Sequence, residues 1–577
     1  MILRVTNKEL KMLQTQQNFV DYLGQLDSLA KKARLDKDKA NLIASIKDRE
    51  LLVPVVGGFS AGKSTALNAF LGEDILSVAI TPETALATEL RYTEGESYAE
   101  GVKDNDSVEK IAINALDSLK DRAGEFKYIK LYLNNPKLKQ IAPLILVDMP
   151  GFDAPLELHN KAIMEYLARG IYFIILESAE SGTIAMSIKK HIDNLKTLGR
   201  DFSFCLSKVD LRLNEIDEIK QHIAQDLEIE FGYDKPITLL GKNTNRGESL
   251  EKLVAQVNVE RIFENLYKDE LKMDFVDTKG SLQTKIAGFK ATKDEADSAV
   301  KELGNAIETI TKTKANLANK SFDADSAVES TLNAVDRALI GDKESLANVV
   351  VRDQKSFANT IAEIIRGTLL GEFTRKGKEQ RERIITAYKA ELSELNMSSA
   401  FSLDSSWVNG VIDNISTTLE KISIGSFYDY GENIKKFGEA FVGVAKILQT
   451  LLRKIIIFPW LKIVLSVAIP IADKLVNVLA GLLGGKKVDA DKLIAEVSPK
   501  IRDSLKPEIA KAYKEQIEAT IEAIYTILQA KFEEKQEEIK KAQSEKENLS
   551  AQLDSEIQNL SEISANLDSL ATKYLYK

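Results

Sequence analysis

Cysteine is almost absent from this chain: Cys205 is the one residue of its kind. It sits inside the apolar run Phe202 to Leu206, so a disulfide framework is excluded and a buried free thiol is expected. Histidine is nearly as scarce. His159, His191 and His222 are scattered without metal-ligand spacing and read as structural or exposed. An excess of basic charge is also missing, and a net charge of −9 argues against nucleic acid as the main partner. Met1-Ile2-Leu3-Arg4 leads into a charged helical pattern without the apolar core of a signal peptide. The expected location is therefore the cytoplasm.

Proline is missing from Ile237 to Phe458, while seven of the eleven prolines fall between Pro54 and Pro236. Glu508 to Lys577 carries neither glycine nor proline. The chain thus divides into a region of short strands alternating with helices and a region of long helices. At 577 residues it should hold several domains of roughly 150 residues each, and 44% hydrophobic residues suffice for real cores. The expected architecture is an α/β domain with a mostly parallel sheet over 49–260, joined to a long all-α bundle. Residues 1–48 suggest one or two amphipathic helices, with Leu10, Leu13, Phe19, Tyr22 and Leu26 on one stripe.

What is present begins with Gly57-Gly58-Phe59-Ser60-Ala61-Gly62-Lys63-Ser64-Thr65, a G-x-x-x-x-G-K-[ST] phosphate loop. An apolar run, Leu51 to Val56, precedes it and a helical pattern from Ala66 to Leu71 follows. Pro54 is out of place in a central strand, because it removes a ladder donor. Glycines let backbone N–H groups converge on a phosphate, and the helix N-terminus adds its positive dipole end. Lys63 is placed for the β/γ-phosphates and the Ser64 hydroxyl for Mg²⁺.

Two further motifs end apolar strands. Leu144 to Val147 runs into Asp148-Met149-Pro150-Gly151, a D-x-x-G element. There Asp148 can hold Mg²⁺ through water, and the Gly151 N–H can sense a γ-phosphate. Phe202 to Leu206 runs into Ser207-Lys208-Val209-Asp210, similar to the [NT]-K-x-D element that reads guanine, with Ser207 in place of Asn or Thr. A carboxylate accepts two hydrogen bonds from guanine N1–H and the 2-amino group, a donor pair adenine lacks. GTP is expected over ATP. A magnesium-ligating threonine should lie between the phosphate loop and Asp148, and Thr81, Thr84 and Thr88 are the candidates. Lys242 and Asn243, after the strand Ile237 to Leu240, occupy the place of a further guanine loop. Further strands are expected at 85–92, 98–102, 128–133 and 171–176. The pair 85–92 and 98–102 reads as an edge hairpin.

In the helical half, Ile517, Ile521, Ile524, Leu528 and Phe532 step by three or four, as do Leu560, Ile563, Leu567, Leu570 and Tyr574. An amphipathic helix pair or coiled-coil seam is expected, with the charge run Lys531 to Glu547 as a solvated face. Residues 434–487 differ from their surroundings. The apolar block 455–472 contains Lys462 and two prolines, which suits an embedded or interfacial hairpin better than a spanning helix. The segment carries nine basic residues against two acidic ones, a local +7 that leaves −16 for the rest of the chain. An anionic lipid surface attracts such an excess.

A phosphate loop of the form G-G-F-S-A-G-K-S-T between an N-terminal helix and a long helical region with an apolar hairpin resembles the bacterial dynamin-like family, the LeoA type included. Pro82-Glu83-Thr84-Ala85 matches that family's P-x-T-A switch, and the match selects Thr84 as the magnesium ligand. The resemblance implies a GTPase domain at 49–260 and N-terminal helices, 1–48, packed against a neck. A helical neck and trunk would occupy 261–430, a membrane paddle 431–488, and returning helices 489–577. It further implies GTP-dependent dimerisation or oligomerisation, pairing with a related dynamin-like subunit as an alternative, and remodelling of membrane by a peripherally attached protein. Ser60 matches the family serine that supports a monovalent cation during hydrolysis, and with Lys63 and Thr84 it makes up the implied catalytic set. Phe59 stands where family members carry a glutamine, and Phe152 where small GTPases carry one, so slow intrinsic hydrolysis is expected. A GTP-switched helical scaffold that binds a protein partner without touching lipid is the alternative reading.

Overall fold

The computed structural model describes residues 12–37, 39–58, 60–76, 86–103, 105–118, 122–151, 166, 169–197, 200–242, 245–319, 324–352, 354–395, 401, 403, 405–421, 489–549 and 552–576. Phe59, Thr81, Thr84, Phe152, Asn243 and the hairpin at 434–487 therefore lie outside the described residues.

Nine strands build one sheet: β1 (Leu51–Gly57), β2 (Thr88–Tyr92), β3 (Tyr98–Val102), β4 (Val108–Ala112), β5 (Tyr128–Leu133), β6 (Leu144–Asp148), β7 (Tyr172–Ser178), β8 (Asp201–Ser207) and β9 (Thr238–Leu240). Their order is β4-β3-β5-β2-β6-β1-β7-β8-β9. The run from β6 through β1, β7 and β8 to β9 is parallel. β1 is buried along its whole length, as a strand covered on both faces must be, which is why its sequence is a continuous apolar run. Pro54 is in register with Val147, and Gly170 makes room for its ring: a Cβ there would lie 2.9 Å from Pro54 Cδ.

The expected hairpin of 85–92 with 98–102 does not form. β5 lies between the two strands, parallel to β2 and antiparallel to β3. β3 instead makes its hairpin with β4, a strand the sequence hid because only Ile111 of its five residues is buried. A mostly solvated edge strand has no apolar alternation to read.

Helices cover the sheet and then leave it. α1 (Gln14–Lys32) and α2 (Ala40–Lys47) precede β1, and α3 (Lys63–Leu71) follows it. α4 (Pro136–Ile141), α5 (Met186–Thr197), α6 (Ile216–Phe231) and α7 (Arg246–Ala255) complete the α/β region. α7 packs on α3 through Gly247, where a Cβ would meet the Ala69 carbonyl at 2.1 Å. The helical region comprises α8 (Val259–Lys290), α9 (Lys293–Asn319), α10 (Ala324–Gly341), α11 (Lys343–Arg352), α12 (Gln354–Ser393), α13 (Ser405–Lys421), α14 (Ala490–Asn548) and α15 (Leu553–Tyr574).

α1 is fastened to α8 and α15 rather than to the sheet alone. Glu260 of α8 caps it, accepting from the Gln14 and Thr15 N–H groups at 2.9 Å each. Phe19 packs against Phe263 and Tyr22 against Tyr574, with ring centroids 6.3 and 5.8 Å apart. α5 lies along α12, so one apolar core runs from Ile188 and Ile192 of the α/β region into Phe357, Ile361 and Ile365 of the bundle.

The two apolar stripes of the C-terminal region are buried but face different partners. Ile517 to Phe532 join α9, α12 and α13, whereas Leu560 to Leu570 join α1 and α8. The charge run Lys531 to Glu547 is solvated along one face, where Glu533, Glu537, Lys540 and Glu547 are exposed, but its other face is buried. Lys535 is 6% exposed, and Lys531 reaches Asp277 of α8 at 2.7 Å. Lys37, between α1 and α2, pairs with Asp277 at 2.7 Å and with Glu534 at 2.6 Å.

Candidate nucleotide site

Because β6, β1, β7, β8 and β9 are parallel, their C-terminal ends share one edge of the sheet, and the phosphate loop, Asp148, Asp210 and Lys242 lie at or just after those ends. Such an edge is where open α/β sheets bind ligands. Gly57 closes β1, and a Cβ on it would lie 2.3 Å from the Leu176 carbonyl of β7. Ser60 (φ +60°) and Gly62 (φ +83°) take left-handed conformations that turn the chain into α3. Ser60 and Thr65 are exposed, Gly58 is half-buried and Ala61 is buried. The Ala61 N–H donates to the Gly58 carbonyl at 3.2 Å.

Lys63 opens α3, its side chain lying back across the loop. Its Nζ donates to the Gly57 and Gly58 carbonyls, both at 3.0 Å. Ser64 Oγ donates to Asp148 Oδ2 at 2.7 Å. Asp148 is 3% exposed and its Oδ1 has no hydrogen-bond partner. Burial pushes its carboxyl up to about 6, against the Ser64 hydrogen bond and the nearby Lys63 charge. A half-buried serine hydroxyl on a buried carboxylate with one oxygen unsatisfied is a donor set that fits a hard divalent cation. Gly151, half-buried, follows three residues after Asp148.

On the other side of β1, Ser207 ends β8 and its Oγ donates to the Glu177 carbonyl at 3.2 Å. Lys208 follows at φ +53°. Asp210 Oδ1 accepts from the Lys242 N–H at 3.1 Å, a bond that holds the Asp210 carboxyl below its ordinary range. Lys242 is thereby drawn to Asp210 through its backbone, while its side chain is exposed.

One further neighbour had no motif to reveal it, and a second is the glycine that opens the loop carrying Lys242 and Asn243. Glu180, in the turn after β7, pairs with the Lys208 ammonium, and its carbonyl accepts from Arg212 Nη1 at 3.2 Å. Gly241 permits the β9–α7 turn to approach, since a Cβ there would stand 3.0 Å from Asp210 Oδ1. A signal existed for Gly241 alone, as a glycine directly after a strand. Among the described residues no cluster of three or more His, Cys, Asp or Glu could hold a metal ion, so any cation here relies on the mixed hydroxyl and carboxylate set.

Residues 53–209 match the profile of the Dynamin family. Dynamin-like protein 2 of Campylobacter jejuni subsp. jejuni serotype O:23/36 (strain 81-176) is 29% identical over 212 residues, 36% of this chain and 32% of that protein. The match thus spans about a third of that relative's length. An uncharacterized protein in the xynA 3'region of Caldicellulosiruptor sp. (strain Rt8B.4) is 21% identical over 279 residues, 46% of this chain and 67% of that one. Among solved structures, one described as an oligomerised bacterial dynamin pair for long-range sensing and tethering of membranes is 16% identical, with a TM-score of 0.33 over 95% of both chains. The LeoA bacterial dynamin GTPase from ETEC is 14% identical, with a TM-score of 0.30 over 98% of this chain and 99% of that one. The chain thus carries a domain of the Dynamin family, matched from β1 through β8.

Proposed function

We infer that the chain binds GTP with Mg²⁺ at this edge and hydrolyses it. The observation that carries the reading is the convergence of Lys63, Ser64 and Asp148 beside Ser207 and Asp210 on neighbouring parallel strands. Lys63 needs only to exchange two carbonyl acceptors for phosphate oxygens to neutralise charge there. Gly57, Gly58, Ala61, Gly62 and Thr65 would supply the loop backbone, and the Gly151 N–H would sense the γ-phosphate. Ser64 and Asp148 would hold Mg²⁺, with Thr84 joining them; the ion would offset phosphate charge. Asp210 selects guanine, with Lys208 along the base and Ser207, Lys242 and Asn243 beside it. Ser60 keeps the family position for a monovalent cation.

The larger function follows as a proposal. Nucleotide-driven dimerisation through the α/β domain would complete a site that lacks both customary glutamines. The +7 segment at 434–487 would attach the protein to anionic membrane, which the assembled protein remodels. Titration calorimetry with Lys63→Ala tests the site: GTP binding should be lost, and unchanged affinity would refute the assignment.

A further inference from the structure

β2 and β6 run antiparallel, with Thr88 directly opposite Asp148. Directly opposed residues project to the same face, with Cβ atoms about 4.5–5.5 Å apart. The next rung on that face, Leu90 opposite Leu146, belongs to the core that contains Leu67 and Phe70 of α3. Thr88 and Asp148 therefore share the α3 face, where Ser64 reaches Asp148 Oδ2.

Thr88 is fully buried, and its hydroxyl has no hydrogen-bond partner. Asp148 Oδ1, its cross-strand neighbour, has none either. Most buried polar side-chain atoms are satisfied, so two orphans on opposed residues mark a place built for something more. A valine would fill the Thr88 position with the same shape and leave nothing unsatisfied. The hydroxyl is thus a cost to the fold, and a ligand that uses the oxygen explains it.

We propose that Thr88 is a positioning residue of the cation site. A water bound to a divalent cation has two protons to donate. Asp148 Oδ1 and Thr88 Oγ1 are the acceptors for them, one from each strand. The proposal rests on the reading of Ser64 and Asp148 as a magnesium site. It assigns part of that site's affinity to a strand residue outside the three motifs. Groups that hydrogen-bond to a metal's own ligands contribute about 10- to 100-fold in affinity, which sets the size of the effect.

The test is a Mg²⁺ titration of the full chain at saturating GDP, read by melting temperature and by the release rate of a fluorescent GDP. Thr88→Val should melt above the wild type without nucleotide and metal, because an unsatisfied hydroxyl is gone. It should also need about tenfold more Mg²⁺ to reach its half-maximal shift. Thr88→Ser, which keeps the oxygen, should stay within about twofold of the wild type. If valine disturbs the strand, Thr88→Ala against Thr88→Ser makes the same comparison. A Mg²⁺ requirement unchanged in both Val and Ala variants would overturn the inference and leave the site intact. A wild type whose melting ignores Mg²⁺ at saturating nucleotide would remove the cation site itself, and the inference with it.

Discussion

The Tyr166 hydroxyl donates to Glu89 Oε1 at 2.7 Å, tying the chain beyond the D-x-x-G loop to the centre of strand β2. Glu89 is fully buried, and Arg169 reaches it at 3.1 Å. Arg91 pairs with it as well and also with Glu50, at 2.7 Å, the residue before β1. The neighbouring guanidiniums hold the Glu89 carboxyl below its ordinary range, although burial acts the other way.

Glu89→Gln keeps the shape and an acceptor for Tyr166 but leaves two buried arginines short of a counter-charge. The expected loss is about 2–4 kcal/mol, because removing one partner of a buried ion pair strands the other. Urea unfolding measures it, and a change below about 0.5 kcal/mol would show that the cluster is solvent-screened.

The Lys37 cluster should show coupling. Asp277 and Glu534 outweigh the burial of the Lys37 ammonium and hold its pKa above the ordinary value. Lys37→Met should destabilise by about 1–3 kcal/mol, discounted because both carboxylates keep a third of their exposure. Adding Glu534→Gln to Lys37→Met should cost less than it does in the wild type, since one of the two lysines it pairs with, Lys37, is gone while Lys531 remains. Strict additivity in the double-mutant cycle would refute the network.

What could be read in the sequence divides by range. The phosphate loop, Asp148 and Asp210 each follow an apolar strand, and parallel β1, β6 and β8 had to bring those ends to one edge. The stripes at 517–532 and 560–570 were visible as stripes, but which helices they face is set by contacts hundreds of residues away. The β2–β3 hairpin failed for the same reason. Thr93 to Ser97 has the composition of a tight turn, yet β5, some thirty residues later, takes the place beside both strands. The buried side chains of Lys535 and Glu89 carry no periodic signal, since a charged residue looks solvated until its partner is known.

His191 gives a pH signature. It lies buried in α5 with its ring near Phe173, and burial pushes its pKa down to about 3. The unfolded chain, with an ordinary histidine near 6.5, then binds the proton more readily. The stability this neutral histidine contributes is fully present above pH 6.5 and is lost as pH falls towards 3. Between pH 7 and 5 the wild type should lose about 2 kcal/mol more than His191→Leu. Parallel slopes in denaturant titrations at the two pH values would contradict this.

The membrane proposal is tested on residues of the sequence outside the described fold. Combining Phe458→Asp, Trp460→Ala and Leu461→Asp removes apolar side chains worth roughly 1.5–3 kcal/mol each when buried in lipid. Pelleting with anionic liposomes should be abolished and GTP affinity kept. A collapsed thermal transition with lost GTP binding would instead show that the hairpin is core, which favours the scaffold reading.

The central claim is that a guanine nucleotide occupies the edge formed by β1, β6 and β8, read by Asp210. Its most direct test is competitive titration of GTP, ATP and xanthosine triphosphate against the wild type and Asp210→Asn. The carboxylate accepts two hydrogen bonds from guanine, each worth about 1.5–3 kcal/mol as a bond to a charged group. The wild type should therefore prefer GTP over both rivals by about a hundredfold or more. Asp210→Asn should lose most of that affinity and turn towards the xanthine nucleotide, whose 2-oxo group accepts from an amide. ATP competing as well as GTP for the wild type, or equal GTP affinity in both proteins, would contradict the account.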